Sequence, residues 1–139
     1  MSSQGHKDLI VYQKAYKVAM RIFELSKKFP KEEIYSLTDQ VRRSSRSVCT
    51  NIGEGYRKRI YPKHFISKMS DSDGECTETA IHLDFAKDCG YINEKIHSEL
   101  TEEYSQIGKM LGSMMSNPGK FSPKKLPTAS ANYKTGPNE

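Results

Sequence analysis

Residues 36–59 read SLTDQVRRSSRSVCTNIGEGYRKR, and the rest of the chain is best understood outward from them. Leu37, Val41, Ser44, Val48, Asn51 or Ile52, and Gly55 recur at steps of three and four, the spacing of one face of an α-helix. Ser36 is the expected N-cap, with Asp39 as the acid in the first turn. Ser44, Ser45, Ser47, Gly53 and Gly55 leave this helix poor in alkyl volume, and each interior glycine costs about 1 kcal/mol of helix propensity relative to alanine. Such a helix must be held by tertiary packing, so a second helix backbone is expected to approach it closely.

Three further helical patterns flank it, and no strand pattern appears. The first covers 8–28 and is stopped by Pro30. Asp8 at its start and Lys27 and Lys28 at its end suit the helix dipole. It carries two apolar rows about 100° apart. One is Val11, Ala15, Val18, Ile22 and Leu25; the other is Leu9, Tyr12, Tyr16, Ala19 and Phe23. One row suffices for a four-helix core. The second is either a widened core stripe or a contact with another subunit.

The pattern over 62–89 opens on Pro62, which suits a first turn, and closes before Gly90, a C′ candidate. Its seam is Phe65, Met69, Ser72, Cys76, Thr79, Leu83 and Ala86. The last helix covers 93–116, with Asn93 as cap and a seam of Ile96, Leu100, Tyr104 or Glu103, Ile107, Leu111 and Met114. Short connections make successive helices antiparallel neighbours. The expected fold is therefore all-α, an antiparallel up-down-up-down four-helix bundle over 8–116. A flexible stretch (1–7) is expected before it and a disordered, basic tail (117–139) rich in Pro, Gly, Ser, Asn and Lys after it.

Composition narrows the function classes. Mean hydropathy is −0.74, 28% of residues are charged, and no apolar run approaches the roughly 20 residues of a membrane span. No signal-peptide pattern opens the chain, so a cytoplasmic protein is expected. Cys49, Cys76 and Cys89 are odd in number and form no C-x-x-C pair, which favours buried reduced thiols over disulfides or zinc. Glu75, Glu78 and His82 share a helix face, but the second Glu-x-x-His of a di-iron bundle is missing and no metal or other cofactor is expected. No catalytic or phosphate-binding motif is present, so an enzyme is not expected either.

Charge is more informative. The formal net charge is +5. Arg42, Arg43, Arg46, Arg57, Lys58 and Arg59 face only Asp39 and Glu54 within 36–59, whereas 60–90 is acidic. In an antiparallel hairpin turning near Ile60, Arg46 lies level with Gly74 and Glu75, and Arg42 with Glu78. Two readings stay open. In one, Arg42, Arg43 or Arg46 reaches Glu75 or Glu78, Glu54 meets a base on its own or a neighbouring helix, and these ion pairs, chiefly of Arg42 and Arg46, serve folding or subunit assembly. In the other, Arg43 and Arg46 grip phosphates together with the terminal run Arg57, Lys58, Arg59 and Lys63, where Tyr56 and Tyr61 are placed to stack on exposed bases.

The segments FPKEEIYSLTDQVRRSSRSV, N-I-x-E-G-Y at 51–56, the Glu78–Thr79 pair and D-x-G-Y-I at 88–92 together resemble the small bacterial four-helix-bundle proteins of the 23S rRNA intervening-sequence family. The resemblance spans about 8–114. It implies a left-handed antiparallel bundle, a ring-like homopentamer and no known enzymatic activity. The family's basic motif falls on Arg42, Arg43 and Arg46, and its acidic position on Glu54. Gly53 stands where the family commonly has alanine, and Ser70 and Ser72 likewise, which softens helix propensity. The leading expectation is a non-enzymatic oligomer that binds RNA or another nucleic acid through its basic surface, ribosomal by resemblance. The alternative is a protein–protein adaptor whose arginines are consumed in assembly.

Overall fold

A computed structural model describes residues 4–123. Within them are four α-helices, α1 (Ile10–Ser26), α2 (Leu37–Arg57), α3 (Pro62–Asp88) and α4 (Glu94–Ser116), with short 3-10 turns at Gly5–Asp8, Lys31–Glu33 and Pro118–Phe121 and no strand.

Pairings across the helices fix the topology. Thr79 Oγ1 donates to Ser44 Oγ (2.8 Å), Ser72 Oγ donates to the Val48 carbonyl (2.8 Å) and Lys68 reaches Glu54 (3.0 Å), so α2 and α3 run antiparallel. Lys14–Glu103 and Arg21–Glu99 give the same sense for α1 and α4. Arg42 on α2 meets Ser26 at the end of α1, and His97 near the start of α4 meets Asp84 near the end of α3. Each helix packs on its sequence neighbour and α4 closes on α1, which is the up-down-up-down bundle.

The core follows the seams. All seven α3 seam residues are buried, as are Val11, Ala15, Val18 and Ile22 on α1. Ile52 rather than Asn51 takes the α2 position, and Tyr104 rather than Glu103 the α4 position, Glu103 being paired with Lys14. The second α1 row is only partly covered: Ala19 is buried, Leu9, Tyr12 and Phe23 are half-buried, and Tyr16 is 54% exposed. The expected close approach is found at Gly55, where a Cβ would lie 2.9 Å from Lys68 Cβ.

The helix ends obey backbone chemistry with one correction. Asn93 caps α4 by accepting from Ile96 N (2.8 Å). Gly90 (φ +82°) ends α3 in a Schellman motif: its N–H donates to the Lys87 carbonyl and that of Tyr91 to the Ala86 carbonyl. Ser36 does not cap α2 with its side chain. Glu33 does so instead, its Oε1 accepting from Leu37 N (3.3 Å) and Ser36 Oγ (2.6 Å) while Oε2 accepts from Tyr91 OH (2.8 Å). These hydrogen bonds hold the Glu33 carboxyl below its usual range, and Phe29 packs on the Tyr91 ring.

The segments flanking the four helices carry more structure than the sequence suggests. Asp8 belongs to a 3-10 turn rather than to α1, which begins after the extended Leu9. That turn lies against α2, with His6 edge-on to Tyr12. Beyond Ser116, Pro118–Phe121 folds back so that Phe121 stacks on Phe65. The remainder of the expected tail, from 124 on, and residues 1–3 lie outside the described residues. No described helix is long and apolar enough to cross a membrane. Cys49 and Cys76 are buried, and burial pushes their thiols up to about 11 and about 12, so neither supplies a thiolate near neutral pH. Cys89, expected inside, is exposed at the α3 terminus.

Candidate nucleic-acid interface

The basic residues fall into two clusters on α2. Arg57, in the last turn, and Lys58, just past it, are exposed, as is Lys63 in the first turn of α3. Arg59 is half-buried in the connecting turn. Its guanidinium lies 3.9 Å from the centre of the Tyr56 ring and its Nη1 donates to the Tyr56 carbonyl (2.9 Å). Tyr56 therefore stacks on an arginine of its own chain, while Tyr61 is exposed and meets His64 edge-on. Cations here also suit the negative end of the α2 dipole.

The second cluster lies farther back on the outer face. Arg43 and Arg46 are both exposed. At 1.5 Å per residue, Arg46 stands about 16 Å and Arg43 about 21 Å along the axis from Arg57. The six expected contact residues are thus two patches, one on the outer face of α2 and one at the α2–α3 turn, rather than one site. Each patch borders an open cleft, of about 540 Å³ beside Arg43 and Arg46 and about 700 Å³ beside Arg57 and Arg59, and Thr50 lines both.

The ion pairs differ from those expected. Arg43, not Arg42, meets Glu78 (3.1 Å). Arg42 turns toward α1, where its Nε donates to Ser26 Oγ (2.7 Å) and its guanidinium covers the Phe23 ring at 4.8 Å. Arg46 also lies over Phe23, at 5.7 Å, and makes no ion pair among the described residues. Adjacent helix residues point about 100° apart, so a register one residue out exchanges an α3-facing arginine for an α1-facing one. Glu54 is paired with a base on a neighbouring helix, Lys68 on α3. His6 and Tyr12 beside Gly53 have no counterpart in the sequence pattern, because a contact made by a turn ahead of the first helix has no periodic signature.

Glu75 takes no ion pair among the described residues. Its Oε1 is buried without a hydrogen-bond partner among the described residues. Burial raises its pKa above the ordinary 4.5, and repulsion from Glu78 and Asp71 adds to this against the pull of Arg43 and His82. The folded state therefore holds this proton more tightly than the unfolded chain does. Stability is lost as pH rises from the ordinary carboxylate value through the raised one. Glu75→Gln is expected to raise the melting temperature at neutral pH and to leave it unchanged below the ordinary carboxylate range. Thermal melts of both proteins at the two pH values check this, and a lowered melting temperature at neutral pH would refute it.

An antiparallel four-helix bundle with a basic helix face and end defines the class of this protein. Within that class, the chain belongs to the 23S rRNA-intervening sequence protein family, whose family model matches residues 7–113. Among solved structures it is similar to a protein of unknown function from the S23 ribosomal protein family of Bacteroides thetaiotaomicron. That match has 26% identity and a TM-score of 0.70 and covers 77% of this chain and 96% of the other. A search of curated proteins gives no match.

Proposed function

We propose that this protein is a non-enzymatic, cytoplasmic, oligomeric RNA-binding scaffold that grips phosphates with the outer face and terminal turn of α2. One observation carries this reading. Arg46, Arg57, Lys58 and Lys63 make no ion pair among the described residues and gather on the outer face and terminal turn of α2 and the adjoining start of α3. The names of the family and of the structural relative point to ribosomal RNA as the first probe. Oligomerisation fits the half-covered α1 row, on which Tyr16 and the adjoining Met20 (45%) stay open. Five copies, the number the family resemblance suggests, would multiply a weak patch into useful avidity.

Fluorescence anisotropy with a structured ribosomal RNA fragment over a salt series tests this. Each engaged phosphate adds about 0.9 to the slope of log K against log salt, so a patch of three or four cations per copy gives a steep decline. Absence of binding at low salt would overturn the reading. Sedimentation of the same preparation is expected to show an assembly rather than a monomer. A second reading has its own support: Ile81 (48%) and Phe85 (59%) are exposed one turn apart on α3, as on a protein-docking face. Failure of RNA binding would favour that adaptor.

A further inference from the structure

The larger of the two clefts has a composition that phosphate binding alone does not require. It opens between α1, the Gly5–Asp8 turn and the last turns of α2, and its volume of about 700 Å³ lies within the usual range of small-ligand sites. Three rings line it. His6 and Tyr12 meet edge to face with centroids 4.7 Å apart, and Tyr56, also in the lining, carries the Arg59 guanidinium. Gly53 also lines it, between Thr50 and Arg57, where the helix has no side chain. A Cβ there would lie 3.6 Å from the His6 ring, so the turn rests close to bare helix.

We propose that this cleft receives one unstacked nucleotide of a bound RNA, with the base against the His6, Tyr12 and Tyr56 rings and the phosphate toward Arg57 and Arg59. The assignment rests on the RNA-binding reading above and deepens it. The chemistry is complementary at both ends of such a ligand. A nucleobase is flat and stacks on aromatic rings and guanidinium planes whatever its identity. The adjoining phosphate needs fixed cations, and Arg59 is held in place by its hydrogen bond to the Tyr56 carbonyl. The one carboxylate in the lining, Glu54, is paired with Lys68, which moderates its repulsion of an anion. A base inside a duplex is stacked and paired and cannot enter, so the cleft selects loops, bulges and ends. The same chemistry would also accept a free nucleoside monophosphate, and the test must separate the two sources.

Three probes serve: an RNA hairpin with an unpaired loop, the same sequence annealed as a blunt duplex, and adenosine monophosphate. Two variants disrupt the cleft while keeping every arginine. Gly53→Gln adds a side chain to the lining and improves helix propensity, and His6→Ala removes a ring from outside the helices, so either variant can carry the test if the other misfolds. The wild-type protein is expected to bind the hairpin about tenfold more tightly than the duplex, the worth of one stacked base. Both variants are expected to lose that preference while keeping duplex affinity and the salt slope. Equal affinity of the wild-type protein for hairpin and duplex, or a hairpin preference that survives both variants, would overturn the nucleotide site and leave backbone binding intact. Binding of the monophosphate without the hairpin would overturn RNA as the source. Failure to bind any of the three would overturn this inference together with the RNA-binding reading.

Discussion

Replacing Arg57, Lys58 and Arg59 together by glutamate is expected to abolish RNA binding while the fold and the assembly persist. Each reversal removes two units of charge, so the formal net charge falls from +5 to −1. More important is where the change falls. Arg57 and Lys58 are exposed and unpaired among the described residues, so their removal leaves no buried partner stranded. Arg59 gives up one hydrogen bond to the Tyr56 carbonyl and its place over the Tyr56 ring. Acids at a helix C-terminus oppose the dipole by about 0.3–1 kcal/mol each, a modest stability loss. Binding, by contrast, loses its cations and gains repulsion. The salt slope is expected to fall by about 3 and the affinity by at least about a hundredfold. Anisotropy at fixed salt, with sedimentation as the control on assembly, reads both effects. Lys17, Lys95 and Lys109, exposed on α1 and α4, supply the matched comparison, since their reversal changes net charge equally. If that variant loses RNA equally, overall charge rather than the α2 terminus governs binding and the patch is wrongly placed.

How far the sequence reaches depends on whether a feature is periodic. The α3 seam was legible residue by residue because Phe65 to Ala86 keeps steps of four and three between a Pro start and a Gly stop, and all seven residues are buried. The Asn93 cap and the Gly90 turn were equally readable, since each is chemistry local to a few residues. Contacts between helices were legible only to within one residue. Counting outward from the turn paired Arg42 with Glu78, but Arg43 makes that contact and Arg42 lies on Phe23 and Ser26. One residue of error along a strand flips a face, whereas along a helix it rotates by about 100°, enough to hand an arginine to the wrong neighbour. The α2 cap fails for a different reason. Ser36 is the better local candidate, but the 3-10 turn at Lys31–Glu33 returns Glu33 to the helix start, and Tyr91 from the opposite turn fixes the carboxylate there. The cleft was the least legible feature. His6 reaches Gly53 only through the folded path of α1, and no pattern in either segment announces the other.

The small residues of α2 make the sharpest demand on packing, and they make opposite predictions two residues apart. At Gly55 an added Cβ would stand 2.7 Å from Met69 Cε and 2.9 Å from Lys68 Cβ. The methionine end can swing aside, but a Cβ is fixed to its backbone, so α3 itself must retreat. That retreat would disturb its neighbours along the same interface, where Ser72 donates to the Val48 carbonyl and Thr79 to Ser44. Overpacking of this kind costs about 1–3 kcal/mol, and a leucine falls at the upper end even after the roughly 1 kcal/mol gained by removing a helical glycine. Gly55→Leu is therefore expected to lower stability by about 2–3 kcal/mol, roughly 10 °C in melting temperature for a domain of this size. At Gly53 the added Cβ meets only the His6 ring at ordinary contact distance, so Gly53→Ala keeps the propensity gain and raises stability by up to about 1 kcal/mol. Urea denaturation of the two variants beside the wild type separates the cases. If Gly55→Leu matches Gly53→Ala in stability, propensity alone governs both sites and α3 does not press on α2 there. The opposite signs would establish that the missing side chain at Gly55 is what lets the two helices meet closely enough for the Ser72 hydroxyl of α3 to reach the α2 backbone.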